Sequence, residues 1–192
     1  MGKKIKVMEF KIILAEQTPA AFPVGDIDAW LKERKDTIKE FLEFAKSHNS
    51  AVGLAANQVS IDGERFLSKC FAKKNLETGE WDLIVNPYID AYIGMKELKE
   101  EGCLTWPNKT IVAERNRAVR ISYYDSNGER HEKTVQGFEG QIWQHEINHL
   151  NGIEERVEEL TFMLPRQKEP ERNEKCFCGS NLKYKLCCLK LI

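Results

Sequence analysis

Along residues 26–47, apolar side chains recur at three- and four-residue steps. Ile27, Leu31, Ile38, Phe41, Leu42 and Ala45 form the series, with Arg34 its one polar member and mostly charged residues between. That period predicts one long amphipathic helix. Asp26 or Asp28 would cap its start, and the polar run Ser47-His48-Asn49-Ser50 would end it. The texture then changes: residues 51–59 are small and apolar, with amides near their end. Residues 65–73 and 81–85 predict strands around a turn at residues 77–80, the second stopped by Asn86-Pro87. Residues 88–98 predict a further strand. Residues 117–124 alternate, placing Val119, Ile121 and Tyr123 on one side. Asp125-Ser126-Asn127-Gly128 predicts a hairpin turn and residues 129–135 the returning strand. Residues 138–150 predict a helix with Phe138, Ile142, His145 and His149 close to one face. The fold class is therefore α+β, with antiparallel strands packed around a central helix.

The pattern breaks at Pro165. Residues 165–175 hold no large apolar side chain and read as a polar linker. Residues 176–192 are too few to fold on hydrophobic burial alone. The chain thus divides into a main domain over 1–164, a linker, and a small tail. The balance of 42% hydrophobic and 31% charged residues, with a net charge of -1, gives no general signal for DNA or membrane binding. The N-terminal apolar run is interrupted by Glu9 and Lys11, unlike a secretory leader, and no apolar run reaches the roughly 20 residues of a bilayer span. A cytoplasmic location is expected. In that setting the six cysteines do not predict a disulfide framework. Cys70 stands alone and reads as a buried core thiol. Cys176, Cys178, Cys187 and Cys188 cluster and read as a separate metal site.

The main domain carries its own metal signal. His145-Glu146-Ile147-Asn148-His149 places two imidazoles one helical turn apart, so both can face one ion, while Glu146 lies where a carboxylate can take a proton from water. Two ligands do not close a site. Cys103, after a glycine that permits close backbone approach, would complete a Cys-His-His set and leave a fourth position for water. A tail cysteine, Glu154 and Glu155 are the other candidates on spacing.

Three ordered stretches resemble the motifs of the peptide deformylase family. Ala51-Val52-Gly53-Leu54-Ala55-Ala56-Asn57-Gln58 is similar to its Gly-Ile-Gly-Leu-Ala-Ala-x-Gln. Glu101-Gly102-Cys103-Leu104-Thr105 is similar to its Glu-Gly-Cys-Leu-Ser/Thr. Gln144 to Gly152 is similar to its Gln-His-Glu-x-Asp-His-Leu-x-Gly. The resemblance covers roughly residues 5–160. It implies a deformylase-like fold and hydrolysis of the N-formyl group from the initiator methionine of new polypeptides, releasing formate. It implies one divalent metal on Cys103, His145 and His149, ferrous iron first, with nickel, cobalt or zinc as alternatives. Glu146 would be the acid/base, and Gln58 with the backbone N–H of Leu104 would face the oxyanion. Val52, Gly53, Leu54, Phe138 and Ile142 would line the methionine pocket. Departures fall at Ala51, Asn57, Gln141 and Asn148; Asn57 is expected to cost only rigidity, and Arg115 or Arg117 is the expected partner of the position at Asn148.

The tail, Cys176-Phe177-Cys178-Gly179-Ser180 to Cys187-Cys188, resembles the SEC-C motif. That resemblance implies one structural zinc on Cys176, Cys178, Cys187 and Cys188, since four thiolates can supply the folding energy of a small module. It also suggests contact with the ribosome or a protein, to which Lys175, Lys183, Lys185 and Lys190 add positive charge. The expected whole is a monomeric enzyme acting on N-formylmethionyl peptides. The competing classes are another HExxH-type metal amidase or peptidase, and a non-catalytic metal-containing binding protein.

Overall fold

The structure is a computed structural model, and it describes residues 8–14, 18–107, 109–153, 170–176, 182–187 and 189. In chain order the elements are β1 (Phe10–Ile12), α1 (Ile27–Glu33), α2 (Lys35–Ser47), β2 (Gly53–Ala55), a 3-10 turn (Ala56–Gln58) and β3 (Val59–Ile61). There follow β4 (Glu64–Arg65), β5 (Cys70–Lys74), β6 (Trp81–Gly102), β7 (Thr110–Tyr124), β8 (Arg130–Gln136), α3 (Gly137–Leu150) and a second 3-10 turn (Tyr184–Leu186). A small sheet runs β1-β3-β4 and a larger one β2-β5-β6-β7-β8. Every strand pairing within them is antiparallel. The α+β expectation holds.

Three local expectations do not. The predicted single helix is two, broken where Arg34 leaves helical geometry at φ -100°, ψ 12°. Arg34 is the polar interruption in the apolar series, so no core contact rewards a straight path through it. Asp26 is the N-cap, accepting a hydrogen bond from Ala29 N at 3.0 Å. Asn86-Pro87 does not stop a strand: β6 runs through it, 22 residues from Trp81 to Gly102. Asn86 adopts φ 48° while its side-chain amide pairs with both backbone groups of Val24, at 2.8 and 2.7 Å. The β6–β7 register shifts between Val85 and Tyr88, so Pro87 sits in an irregularity where a missing N–H costs no ladder bond. The predicted strand over 65–73 is likewise interrupted, because residues 66–69 turn aside to bond Phe22 at 2.7 and 2.8 Å.

One core joins α2 to the sheets through Ile38, Phe41, Leu54, Val59, Phe66 and Val85. Cys70 belongs to it as expected, fully buried, with burial pushing its thiol pKa far up. The other main core packs α3 on the large sheet: Trp143, Ile147 and Leu150 against Phe71, Val119 and Ile121. Ala118 alternates onto the opposite face. There it meets Ile93, its partner in the ladder, together with Cys176 and Tyr184 of the tail. The described part of the tail therefore packs against the large sheet. Its pairing also begins before Cys176: Tyr184 N bonds Glu174 O at 2.8 Å and Lys185 N bonds Arg172 O at 2.9 Å. Backbone pairing of the tail thus reaches back to residues 172 and 174. Among the described residues no helix is long and apolar enough to cross a membrane.

Candidate metal centre

Helix α3 is aimed by its surroundings. Gly137 at φ 59° makes the sharp exit from β8, a backbone region glycine enters without steric cost. Trp143, fully buried, wedges edge-on against Phe71 with ring centroids 5.1 Å apart. The Gln144 amide completes a bridge to β7, accepting from Asn116 N at 2.8 Å and donating to Asn116 O at 2.9 Å. With one face so fixed, His145 and His149 turn the same way toward the end of β6.

Cys103 lies just past that end. Its Sγ is 3.3 Å from His149 Nε2, which is 3.1 Å from His145 Nε2, and all three atoms fall within 4.8 Å of one another. Metal bonds of about 2.0–2.3 Å at tetrahedral angles place ligand atoms roughly 3.3–3.6 Å apart, so the set fits a shared ion. His149 Nδ1 and Glu146 Oε2 are buried without a hydrogen-bond partner among the described residues. Cys176 and Cys187 pack in a different cluster, with Ile93 and Ala118. Glu154, Glu155, Cys178 and Cys188 lie outside the described residues.

The His145 ring is oriented from behind. Its Nδ1 is 2.7 Å from Glu101 Oε2, and Arg115 grips the same carboxylate through Nε at 2.8 Å and Nη2 at 2.6 Å. Burial opposes ionisation of Glu101, but the hydrogen bonds from His145 and Arg115 outweigh it and hold its pKa at about 2. A carboxylate there keeps the proton on Nδ1 and leaves Nε2 free to bind metal. Arg115 is thus engaged with Glu101, and Arg117 bonds Glu97 at 3.1 Å. The motif contained Glu101, but its service to His145 was not read from the sequence. An acidic residue two before a candidate thiolate ligand, with an arginine on the next strand, was the available signal.

Gln58 is also held at both ends. Its Oε1 accepts from Ala55 N at 3.1 Å, and its Nε2 donates to Thr105 Oγ1 at 2.7 Å while lying 3.4 Å from Cys103 Sγ. The amide N–H2 therefore faces the ligand cluster. Burial pushes the Glu146 pKa up to about 7, against the pull of His145 and with the negative Glu101 adding to the rise. Gly53 lets β2 approach this carboxylate: a Cβ there would lie 2.8 Å from Glu146 Cδ and 2.9 Å from Cγ.

A cavity of about 470 Å³ opens over these groups. Of the five residues expected to line a side-chain pocket, Val52, Gly53, Phe138 and Ile142 do so, and Leu104 joins them. Leu54 does not. It is 1% exposed and packs in the α2 core, because alternation along β2 turns it away from the side that Gly53 presents. Gln141 lines the cavity and donates to Glu100 O at 3.3 Å, beside a rim where Lys109 lies 5.0 Å over the Trp106 ring.

A buried Cys-His-His set with an adjacent buried carboxylate and an inward-facing amide defines a metal-dependent hydrolase. Residues 12–160 match the polypeptide deformylase family, and residues 172–190 match the SEC-C motif. A peptide deformylase from Thermotoga maritima is 32% identical over 151 residues, spanning 77% of this chain and 85% of the relative. One from Aquifex aeolicus is 30% identical over 131 residues, spanning 68% and 76%. The crystal structure of a peptide deformylase from Synechococcus elongatus, solved with actinonin, superposes with a TM-score of 0.67 at 30% identity, covering 82% of this chain and 84% of that one. The chain belongs to the peptide deformylase family.

Proposed function

We propose that the protein removes the formyl group from the initiator methionine of newly made polypeptides, releasing formate. The observation that carries this reading is the convergence of Cys103, His145 and His149 within 4.8 Å, with Gln58 and Glu146 beside them. Cys103 Sγ and the two Nε2 atoms hold the catalytic ion; ferrous iron is the proposed native metal, with nickel, cobalt and zinc as substitutes. A divalent ion in such a site polarises a carbonyl and brings the pKa of water toward neutrality. Glu146, poised near neutrality, takes the proton of the attacking water and delivers it to the leaving amine. Gln58 Nε2–H and the backbone N–H of Leu104 donate to the oxygen on which charge develops. Val52, Phe138 and Ile142 give the methionine side chain an apolar wall, and Gln141 adds a polar edge.

The catalytic part is proposed to occupy residues 1–164. Cys176, Cys178, Cys187 and Cys188 are proposed to hold a structural zinc in the tail, with Arg172 to Lys175 belonging to that module, and the tail to contact the ribosome or a protein. Formate release from formyl-Met-Ala-Ser by protein prepared without oxygen and loaded with ferrous iron tests the activity. Saturable release, abolished in Glu146→Ala with the metal retained, is the expected result. No release from metal-loaded protein would overturn the assignment.

A further inference from the structure

Residue 57 follows the small residues of the first motif, where an asparagine promises no more than a loss of rigidity. The structure gives it a different standing. Asn57 is fully buried, and its Nδ2 donates to two main-chain carbonyls, those of His149 and Pro19, the latter at 2.9 Å. Both side-chain N–H groups are spent. Asn57 Oδ1 has no partner among the described residues, so the amide is held by its donors, and the reverse orientation would turn its oxygen on two carbonyls.

The two acceptors belong to segments that meet here. His149 lies in the last turn of α3, where carbonyls lack partners within the helix. Ala21 N serves Leu150 O at 2.8 Å, and Gly152 N serves His149 O at 2.9 Å. A Cβ on Gly152 would meet Ala20 N at 3.0 Å and Thr18 O at 3.2 Å, so residues 18–21 lie tightly along the end of the helix. Asn57 ties this junction to the 3-10 turn. Its neighbour Gln58 reaches the ring of the same histidine, Nε2 to Nε2, at 3.2 Å. Residue 57 thus holds the His149 backbone while the Gln58 amide lies beside its ring.

We infer that Asn57 is a positioning residue, setting the distance between the Gln58 amide and the metal ligand His149. This inference rests on the deformylase reading for its kinetic consequence but not for its geometric one. Asn57→Ser keeps one donor and adds no charge; Asn57→Asp keeps the shape and removes both donors. In Asn57→Ser, kcat for formate release falls ten- to one-hundred-fold, KM stays within threefold, and the visible bands of the cobalt-loaded protein shift. Asn57→Asp, if it folds, moves all three readouts further in the same directions. Ile38→Ala, in the α2 core, lowers the thermal midpoint and leaves kcat and the cobalt bands unchanged. Unaltered kcat and cobalt bands in Asn57→Ser, with only a lowered midpoint, would overturn the inference. So would failure of both Asn57 variants to give folded, metal-loaded protein, since the residue would then serve the fold alone. If the parent protein releases no formate, the proposed activity fails, and the cobalt bands still decide the placement of His149.

Discussion

Gly53→Ala is a one-methyl test of how closely β2 approaches the acid/base. The added Cβ would lie 2.8 Å from Glu146 Cδ and 2.9 Å from Cγ, whereas carbon atoms rest about 3.5 Å or more apart. Relief therefore requires a shift of about 0.7 Å, the difference between about 3.5 Å and the 2.8 Å of the closest carbon contact. A solvent-facing glutamate would swing aside at little cost. Glu146 is only 4% exposed, on a helix fixed by Trp143 and Gln144, so the displacement falls on its carboxylate. A misplacement near 1 Å costs on the order of 10²-fold in rate, and overpacking a filled interior costs about 1–3 kcal/mol of stability. Gly53→Ala should accordingly lose about two orders of magnitude in kcat while binding a full complement of metal, since no ligand is touched. Gly25→Ala is the control: its Cβ would meet nothing within 4 Å. Steady-state formate release at matched metal content reads the first effect, and urea denaturation the second. Activity of Gly53→Ala within about threefold of the parent, roughly 0.7 kcal/mol, would refute the claim that β2 and the carboxylate are in such close register.

Two further outcomes follow from the buried ion pair and the docked tail. Arg115→Ala leaves the Glu101 carboxylate with His145 but without its counter-charge, in a site where both ion-pair side chains are at most 5% exposed. It should cost about 3–5 kcal/mol of stability and weaken metal affinity about 10–100-fold through His145; a chelator competition giving an unchanged Kd would contradict this. Tyr184→Ala removes a side chain 3% exposed on the Ile93–Ala118 face, with a loss of about 2 kcal/mol of docking. Limited proteolysis should then cut near residues 170–175 faster, with formate release unaltered, and equal cleavage rates in the two proteins would show that Tyr184 does not hold the tail.

What the sequence made legible was mostly local. The period of α3 and the Asp125–Gly128 turn are written in neighbouring residues, and both elements formed where expected, with Asp125 N bonding Glu129 O at 3.0 Å. His145 and His149 were legible from helical spacing, whereas spacing left Cys103 one of several candidates and only the resemblance of residues 101–105 singled it out. Elements decided by distant partners were not. Asn86-Pro87 has the form of a stop, yet the Asn86 side chain satisfies Val24, 62 positions away, and the strand goes on. Leu54 and Gly53 are neighbours with the same motif membership. Only the face each presents separates core from cavity, and that depends on how β2 pairs with β5. Asn57 looked neutral for the same reason, since its value lies in the carbonyls of residues 19 and 149.

The sheet's two faces set the relation between the molecule's two cysteine-bearing regions. Val119 and Ile121 of β7 pack under α3 and its imidazoles, while Ala118, just before them, packs under Cys176 and Tyr184. Side chains alternate across a strand, so the tail and the ligand helix press on opposite sides of the same strand. The connection is mechanical rather than chemical: no tail cysteine among the described residues joins the Cys103 cluster. Burial of Tyr184 and Cys176 against the main domain also means that a tail bound to this face does not present those side chains to a partner. A surface used to contact another molecule must then be the module's outer side, where Lys175 and Lys183 face each other across the hairpin and are exposed. Two lysines paired in this way repel, a cost that contact with an anionic surface would relieve. Loss of the tail should therefore register first in the stability of the β6–β7 region, and only afterwards in turnover.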